Sequence, residues 1–162
     1  MTLYILCGAP GSGKSYFAEN YFLKDETVYY VSRDKIRYSM IKEDDEYFSK
    51  ETKVFNAFVW EIKNILDSKT LPYTGVIADA THLNWASRRK LLNALGILNG
   101  NYSDINIVVV YIRPNLNTVL TRNNSRTGRA KVPEDVVRRM YNSQTSPWED
   151  PFTYTAVMEV RE

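Results

Sequence analysis

Residues 8 to 15 read Gly-Ala-Pro-Gly-Ser-Gly-Lys-Ser and satisfy the pattern G-x-x-x-x-G-K-[ST] at every fixed position. Such a loop needs a strand before it and a helix after it. Leu3 to Cys7 form a short apolar run with strand character, and Tyr16 to Phe22 continue as a helix. Gly8, Gly11 and Gly13, with Ser12 among them, let the backbone bend and bring its N–H groups up to an anion. The helix N-terminus adds positive partial charge there. Lys14 is placed to reach terminal phosphates and Ser15 to hold Mg²⁺. In the empty loop Lys14 is expected to face solvent. The plainer alternative is a glycine-rich turn with a surface lysine. The flanking strand and helix favour a nucleoside triphosphate site with Mg²⁺.

Further apolar runs alternate with helical periodicity. Val28–Val31, Gly75–Asp79 and Ile105–Ile112 read as strands, the last almost wholly apolar, as suits a strand buried on both faces of a parallel sheet. Thr155–Val160 reads as a fifth strand at an edge. Val54, Phe55, Phe58, Val59, Ile62, Ile65 and Leu66 fall on one helical face. Asn84 is placed to N-cap the next helix, with Leu91, Leu92 and Leu95 inside and Gly96 ending it. Pro114 is expected to start a helix reaching about Asn123, and Pro133 the last helix. The fold class is α/β, a three-layer sandwich of the P-loop, adenylate-kinase-like kind. Its sheet is mostly parallel, with about four to five strands between helices. Ligands of such sheets bind at the carboxyl ends of the strands.

A chain of 162 residues fits one domain over 1–162, with a lid-like segment near 122–132. Cys7 has no partner for an internal disulfide, no apolar run reaches membrane-spanning length, and no signal peptide is visible. These features lead to a cytoplasmic expectation without a membrane partner. Net charge is only +2, but residues 85 to 146 carry 10 Lys/Arg against 3 Asp/Glu. That block could draw in polyphosphate or nucleic acid, or be a ring of solvated arginines.

Four short segments carry chemistry. Asp34 follows the second strand on the phosphate-loop edge, where a carboxylate can take a proton from an attacking hydroxyl. Equally, it could cap a helix. Arg37, one turn on, suits an acceptor phosphate or is a surface charge. Asp79 ends the third strand, where a carboxylate can hold the metal's water shell, or simply sit in the turn, and Thr81 follows it. Arg122, Arg126 and Arg129 surround a flexible Thr-Gly, which suits a lid closing on a triphosphate or a solvated loop. His82, the single histidine, reads as a polar loop residue. Glu43 to Glu46 read as a solvated loop turned away from any polyanion. The 12 tyrosines and 3 tryptophans offer stacking surfaces, none of them assigned to a base.

Taken together, Gly8–Ser15, Arg33-Asp34-x-x-Arg37, Asp79-x-Thr81 and Arg126-Thr-Gly-Arg129 with Val132-Pro133 resemble the kinase domain of phage-type 5′-hydroxyl polynucleotide kinases. The likeness runs from residue 8 to 133, with Met140-Tyr141 matching beyond. It implies that Lys14 and Ser15 hold ATP and Mg²⁺, that Asp34 is the general base on a 5′-OH, and that Arg37 binds the phosphate on the acceptor's 3′ side. Asp79 becomes the essential third-strand aspartate and Arg126 the lid arginine, with Arg129 able to take that role. The implied partner is the 5′-OH end of RNA or DNA, in a phage-infected host cell or bacterial cytosol. The family often has Asn where this chain has His82, and any 3′-phosphatase activity would need another polypeptide. The competing reading is a P-loop kinase for a small-molecule hydroxyl on a nucleoside, sugar or antibiotic. A nucleotide switch is disfavoured by the absence of Asn-Lys-x-Asp and Asp-x-x-Gly.

Overall fold

The computed structural model describes residues 1–22, 24 and 26–161. Strands β1 (Thr2–Cys7), β2 (Val28–Ser32), β3 (Gly75–Asp79), β4 (Asn106–Ile112) and β5 (Ala156–Val160) form one sheet in the order β2-β3-β1-β4-β5. All four neighbouring pairs are parallel, so the sheet expected to be mostly parallel is wholly so among the described residues. The register sets Ser32 opposite Asp79 and Asp79 opposite Leu6. The carboxyl ends of β2, β3 and β1 therefore share one level, and the loops leaving them meet.

Helices α1 (Lys14–Tyr21), α2 (Arg33–Met40), α3 (Glu51–Asp67), α4 (Trp85–Leu95), α5 (Leu116–Asn124) and α6 (Glu134–Asn142) complete the fold. The i, i+4 apolar face of α3 delivers Phe58, Val59, Ile62 and Ile65 to one side of the sheet, beside Leu91, Leu92 and Leu95 of α4. Leu3, Ile5, Val76, Ala78 and Val109 meet them from the strands. On the other side, Phe17 and Ala18 of α1 pack on Leu6, Ile77, Val110 and Ile112. A smaller cluster of Ala9, Val119, Leu120 and Val137 ties α5 and α6 to the phosphate loop.

Two helix starts differ from the sequence reading. Pro114 precedes α5, but the cap is Asn115, whose side chain accepts from Thr118 N–H. Ser32, not Asp34, caps α2, accepting from Lys35 N–H. In both, a short polar side chain in extended conformation can reach back to the first turn. Asn84 and Gly96 bound α4 as expected. Asn84 forms a reciprocal capping box with Ser87, and Gly96 adopts φ 81°.

Arg88, on α4, is fully buried. Its Nε and Nη2 donate to the two carboxylate oxygens of Asp150, each at 2.6 Å. Nη1 donates to the His82 carbonyl and Nη2 to the Thr145 carbonyl. This one side chain ties α4 to the loop after β3 and to the segment after α6.

Candidate active site

The phosphate loop is shaped by close packing. A Cβ on Gly8 would lie 2.5 Å from Ser12 Oγ and 2.6 Å from the Ile112 carbonyl, so only glycine fits. Gly11, at φ +86°, would drive a Cβ to 2.5 Å from the Val119 carbonyl. Ser12 Oγ is buried without a hydrogen-bond partner among the described residues. Gly13 caps α1 in the left-handed region, and the first N–H groups of that helix have no intrahelical acceptor. An orphaned hydroxyl and open helix N–H groups suit an anion.

Lys14 departs from the solvent-facing expectation. Its Nζ donates to the carbonyls of Gly8 at 2.8 Å and Ala9 at 3.1 Å, because the loop offers the nearest acceptors to a part-buried ammonium. Burial lowers its pKa, against the pull of Asp79 and Asp34. Arg122 also differs. It does not line the cleft, and its Nη1 donates at 3.1 Å to the Ser12 carbonyl, bracing the loop.

A cleft of about 810 Å³ opens above the loop, within the size range of small-molecule sites. Lys14, Ser15, Asp34, Arg37, Asp79, Thr81, Arg126 and Arg129 all border it. Four separate segments of the sequence are thus brought together. Gly8, Gly11 and Ser12 lie beneath it.

On the floor, Ser15 Oγ donates to Asp79 Oδ2 at 3.2 Å. Tyr30 Oη donates to the same oxygen in a short hydrogen bond. Sequence reading missed Tyr30, which lies in an apolar strand and looks like core. The available signal was alternation: Tyr30 and Ser32 point to one face of β2, and the parallel register puts Ile77 and Asp79 on that face of β3. Burial, then the Asp79 charge, raise the Tyr30 phenol's pKa, so it stays a donor.

At the α2 end of the cleft, Asp34 Oδ1 accepts from Arg37 Nη1 and, at 2.8 Å, from Tyr47 Oη. Arg37 Nη2 donates to Glu51 Oε2 at 2.8 Å, while Arg33 donates to the other oxygen of Glu51. The Arg37 guanidinium lies 4.5 Å from the Tyr47 ring centroid. Burial disfavours its charge, but the Glu51 hydrogen bond together with the charges of Tyr47, Glu51 and Asp34 raises its pKa. Two arginines and two carboxylates balance here, so Arg37 is not a bare cation. Tyr47 and Glu51 were also missed. Each meets Asp34 or Arg37 only after the chain turns between α2 and α3.

In the 122–132 segment, Asn123 clasps both ends. Its amide donates at 2.7 Å to the Val132 carbonyl and accepts from Val132 N–H at 3.1 Å. Arg129 Nη2 donates to the Lys42 carbonyl at 2.7 Å and also to the Glu43 carbonyl. The acidic loop expected to turn away thus meets this segment through its backbone. Among the described residues Arg126 has one weak hydrogen bond, 3.4 Å to the Ala130 carbonyl.

His82 lies in the loop between β3 and α4, as expected, and is buried there. Its φ is 40°, and its Nδ1 lies 3.0 Å from the Leu6 carbonyl. Burial lowers its pKa to about 4. Between pH 6.5 and about 4 the unfolded chain binds a proton that the folded ring refuses. Stability contributed by the neutral ring is full above pH 6.5 and falls with pH through that window, by about 3 kcal/mol. Urea unfolding at several pH values should show this slope in the wild type and a flatter one in His82→Gln. Parallel slopes would contradict it.

A family model described as an AAA domain matches residues 3–151. The L-seryl-tRNA(Sec) kinase of Methanococcus maripaludis is 31% identical over 153 residues, which cover 90% of this chain and 53% of that protein. The chain spans about half the length of this curated relative. Among solved structures, one from the Pnkp1/Rnl/Hen1 RNA repair complex superposes with TM-score 0.70 at 21% identity, over 88% of this chain and 43% of that one. A sugar kinase from Janibacter superposes with TM-score 0.63 at 14% identity, over 100% of this chain and 87% of that one. At such identities the two structures share a fold with this chain and no more.

Proposed function

From the premise that this chain belongs to the AAA domain family, we propose that it is a P-loop kinase transferring the γ-phosphate of ATP to the 5′-hydroxyl of a polynucleotide. The observation that carries this reading is the meeting of Asp34 and Arg37 with Lys14, Ser15 and Asp79 around one cleft. Lys14 would exchange the Gly8 and Ala9 carbonyls for phosphate oxygens. Ser15 and Asp79 are the hydroxyl and carboxylate that would hold Mg²⁺, which is ordinarily bound by one or two carboxylates together with substrate phosphates. When bound, Mg²⁺ supplies charge neutralisation along the phosphates. Tyr30 fixes the Asp79 carboxylate by occupying Oδ2.

Asp34 takes the proton of the attacking hydroxyl as its oxygen bonds to the γ-phosphorus, and the bond to ADP breaks. Both side-chain contacts of Asp34 among the described residues fall on Oδ1, which leaves Oδ2 for the hydroxyl. Arg37 would share its guanidinium with the phosphate on the acceptor's 3′ side. The 122–132 segment acts as the lid. Arg126, weakly held, is the arginine able to swing onto the transferring group, while Arg129 latches the lid to the loop after α2. The relative's action on a seryl-tRNA is compatible with an acceptor hydroxyl carried by RNA.

One observation favours a second reading, a small-molecule kinase. Glu51 and Asp34 already neutralise Arg33 and Arg37, which suits an uncharged acceptor such as a sugar or nucleoside. Labelled ATP offered with 5′-OH oligonucleotides, seryl-tRNA, nucleosides and sugars separates them. The expected product is a Mg²⁺-dependent 5′-phosphorylated strand. Transfer only to a nucleoside or sugar supports the second reading, and full activity in excess chelator contradicts both.

A further inference from the structure

At the start of α4 and in the segment after α6, two tryptophans stand in water. Trp85 is 42% exposed and Trp148 56%. Large aromatic side chains left this open are unexplained by the core. Their backbone is tied to the fold. The Trp85 backbone N–H donates to Thr145 Oγ1 at 3.0 Å, and the Thr145 backbone N–H donates to the Leu83 carbonyl at 3.0 Å. The buried Arg88–Asp150 pair closes the same unit one helical turn further on, so the segment bearing Trp148 cannot drift from α4. Arg89 is exposed and lies 6.0 Å from the Trp85 ring centroid.

The position is informative. Thr81 borders the cleft four residues before Trp85, and Met140 of α6 borders it just before the Thr145 segment. In the chain, both tryptophans thus follow within eight residues of one that borders the cleft. Residues 85 to 146 also hold 10 Lys/Arg against 3 Asp/Glu, which complements a polyanion. The exposed carboxylate beside Trp148 is Glu149.

We propose that Trp85, Arg89 and Trp148 form a stacking platform for the single-stranded continuation of the acceptor, a nucleic-acid strand leaving the cleft. The proposal rests on the polynucleotide reading of the cleft. Aromatic faces accept any base, and an arginine beside them adds phosphate and π contacts without sequence readout. The site therefore selects length rather than sequence.

The test uses 5′-phosphorylated oligothymidylates, from dinucleotide to hexadecamer, so that binding is read without turnover. Anisotropy of a 3′-labelled strand gives affinity, and tryptophan fluorescence reports stacking. Wild-type affinity should rise with length, with quenching. Trp85→Ala and Trp148→Ala should each weaken the longest strand by about 5- to 150-fold and leave the dinucleotide unchanged. Trp85→Phe should keep most of the affinity, and Arg89→Ala should reduce the salt dependence. Length-independent wild-type affinity overturns the proposal. So do alanine variants that bind all strands like wild type, the outcome expected of a protein-docking face, or that weaken dinucleotide and hexadecamer equally. If 5′-OH strands are phosphorylated but affinity ignores length, the platform fails and the kinase reading stands. If long strands bind through the tryptophans but no 5′-OH strand is phosphorylated, the kinase reading fails and the platform stands.

Discussion

Asp34→Asn should lower kcat by about 10²- to 10⁴-fold while nucleotide affinity stays nearly constant. The substitution is close to isosteric, and an amide oxygen can still accept from Arg37 and Tyr47 at Oδ1, the contacts that orient this side chain. What is lost is the capacity to take a proton. The fold should not suffer, since Ser32 rather than Asp34 caps α2. Pre-steady-state transfer and ADP binding, measured on the same preparation, separate the two effects. A normal transfer rate would remove Asp34 from the chemistry and leave it a partner of Arg37.

Arg88→Ala is expected to be the costliest single change to the fold, about 3–5 kcal/mol. The Arg88 and Asp150 side chains are 0% and 1% exposed, so truncation strands a buried carboxylate with the Tyr154 hydroxyl as its remaining partner among the described residues. The His82 and Thr145 carbonyls lose a donor as well. The loss should also reach the cleft, because the loop held by Arg88 includes Thr81, whose carbonyl accepts from Gly8 N–H at 2.9 Å. Replacing both partners, Arg88→Met with Asp150→Leu, should cost less than either single truncation, since no uncompensated charge remains. Urea unfolding of the two single variants and the double variant gives the coupling. A single-variant loss below about 1 kcal/mol would contradict this role.

The strands and the phosphate loop were legible because each is local. A glycine loop between an apolar run and a helix specifies its own geometry, and β3 matches its expected limits at Gly75 and Asp79. The caps of α4 were legible for the same reason, since Asn84 and Gly96 act within one turn. Long-range meetings were harder. Tyr30, Tyr47 and Glu51 acquire their roles only when β2, α2 and α3 are assembled, and nothing adjacent in sequence names Asp79 or Arg37 as their partners. Arg88 did leave a trace. It precedes Leu91, Leu92 and Leu95 at helical spacing, so it occupies the buried stripe of α4 and must there find a carboxylate. The burial of His82 was not legible because its acceptor, the Leu6 carbonyl, lies 76 residues away.

The polynucleotide reading turns on Arg37, whose guanidinium already faces Asp34 and Glu51. The direct measurement is kcat/KM for a nucleoside and for the corresponding 3′-nucleotide, in the wild type and in Arg37→Ala. A charge-assisted hydrogen bond to the 3′ phosphate should favour the 3′-nucleotide by about 10- to 150-fold in the wild type. Arg37→Ala should erase that preference, and should lower turnover of both acceptors because Asp34 loses one of the two contacts that orient it. Equal wild-type values for the two acceptors would contradict the account and leave this cleft to a small, uncharged hydroxyl.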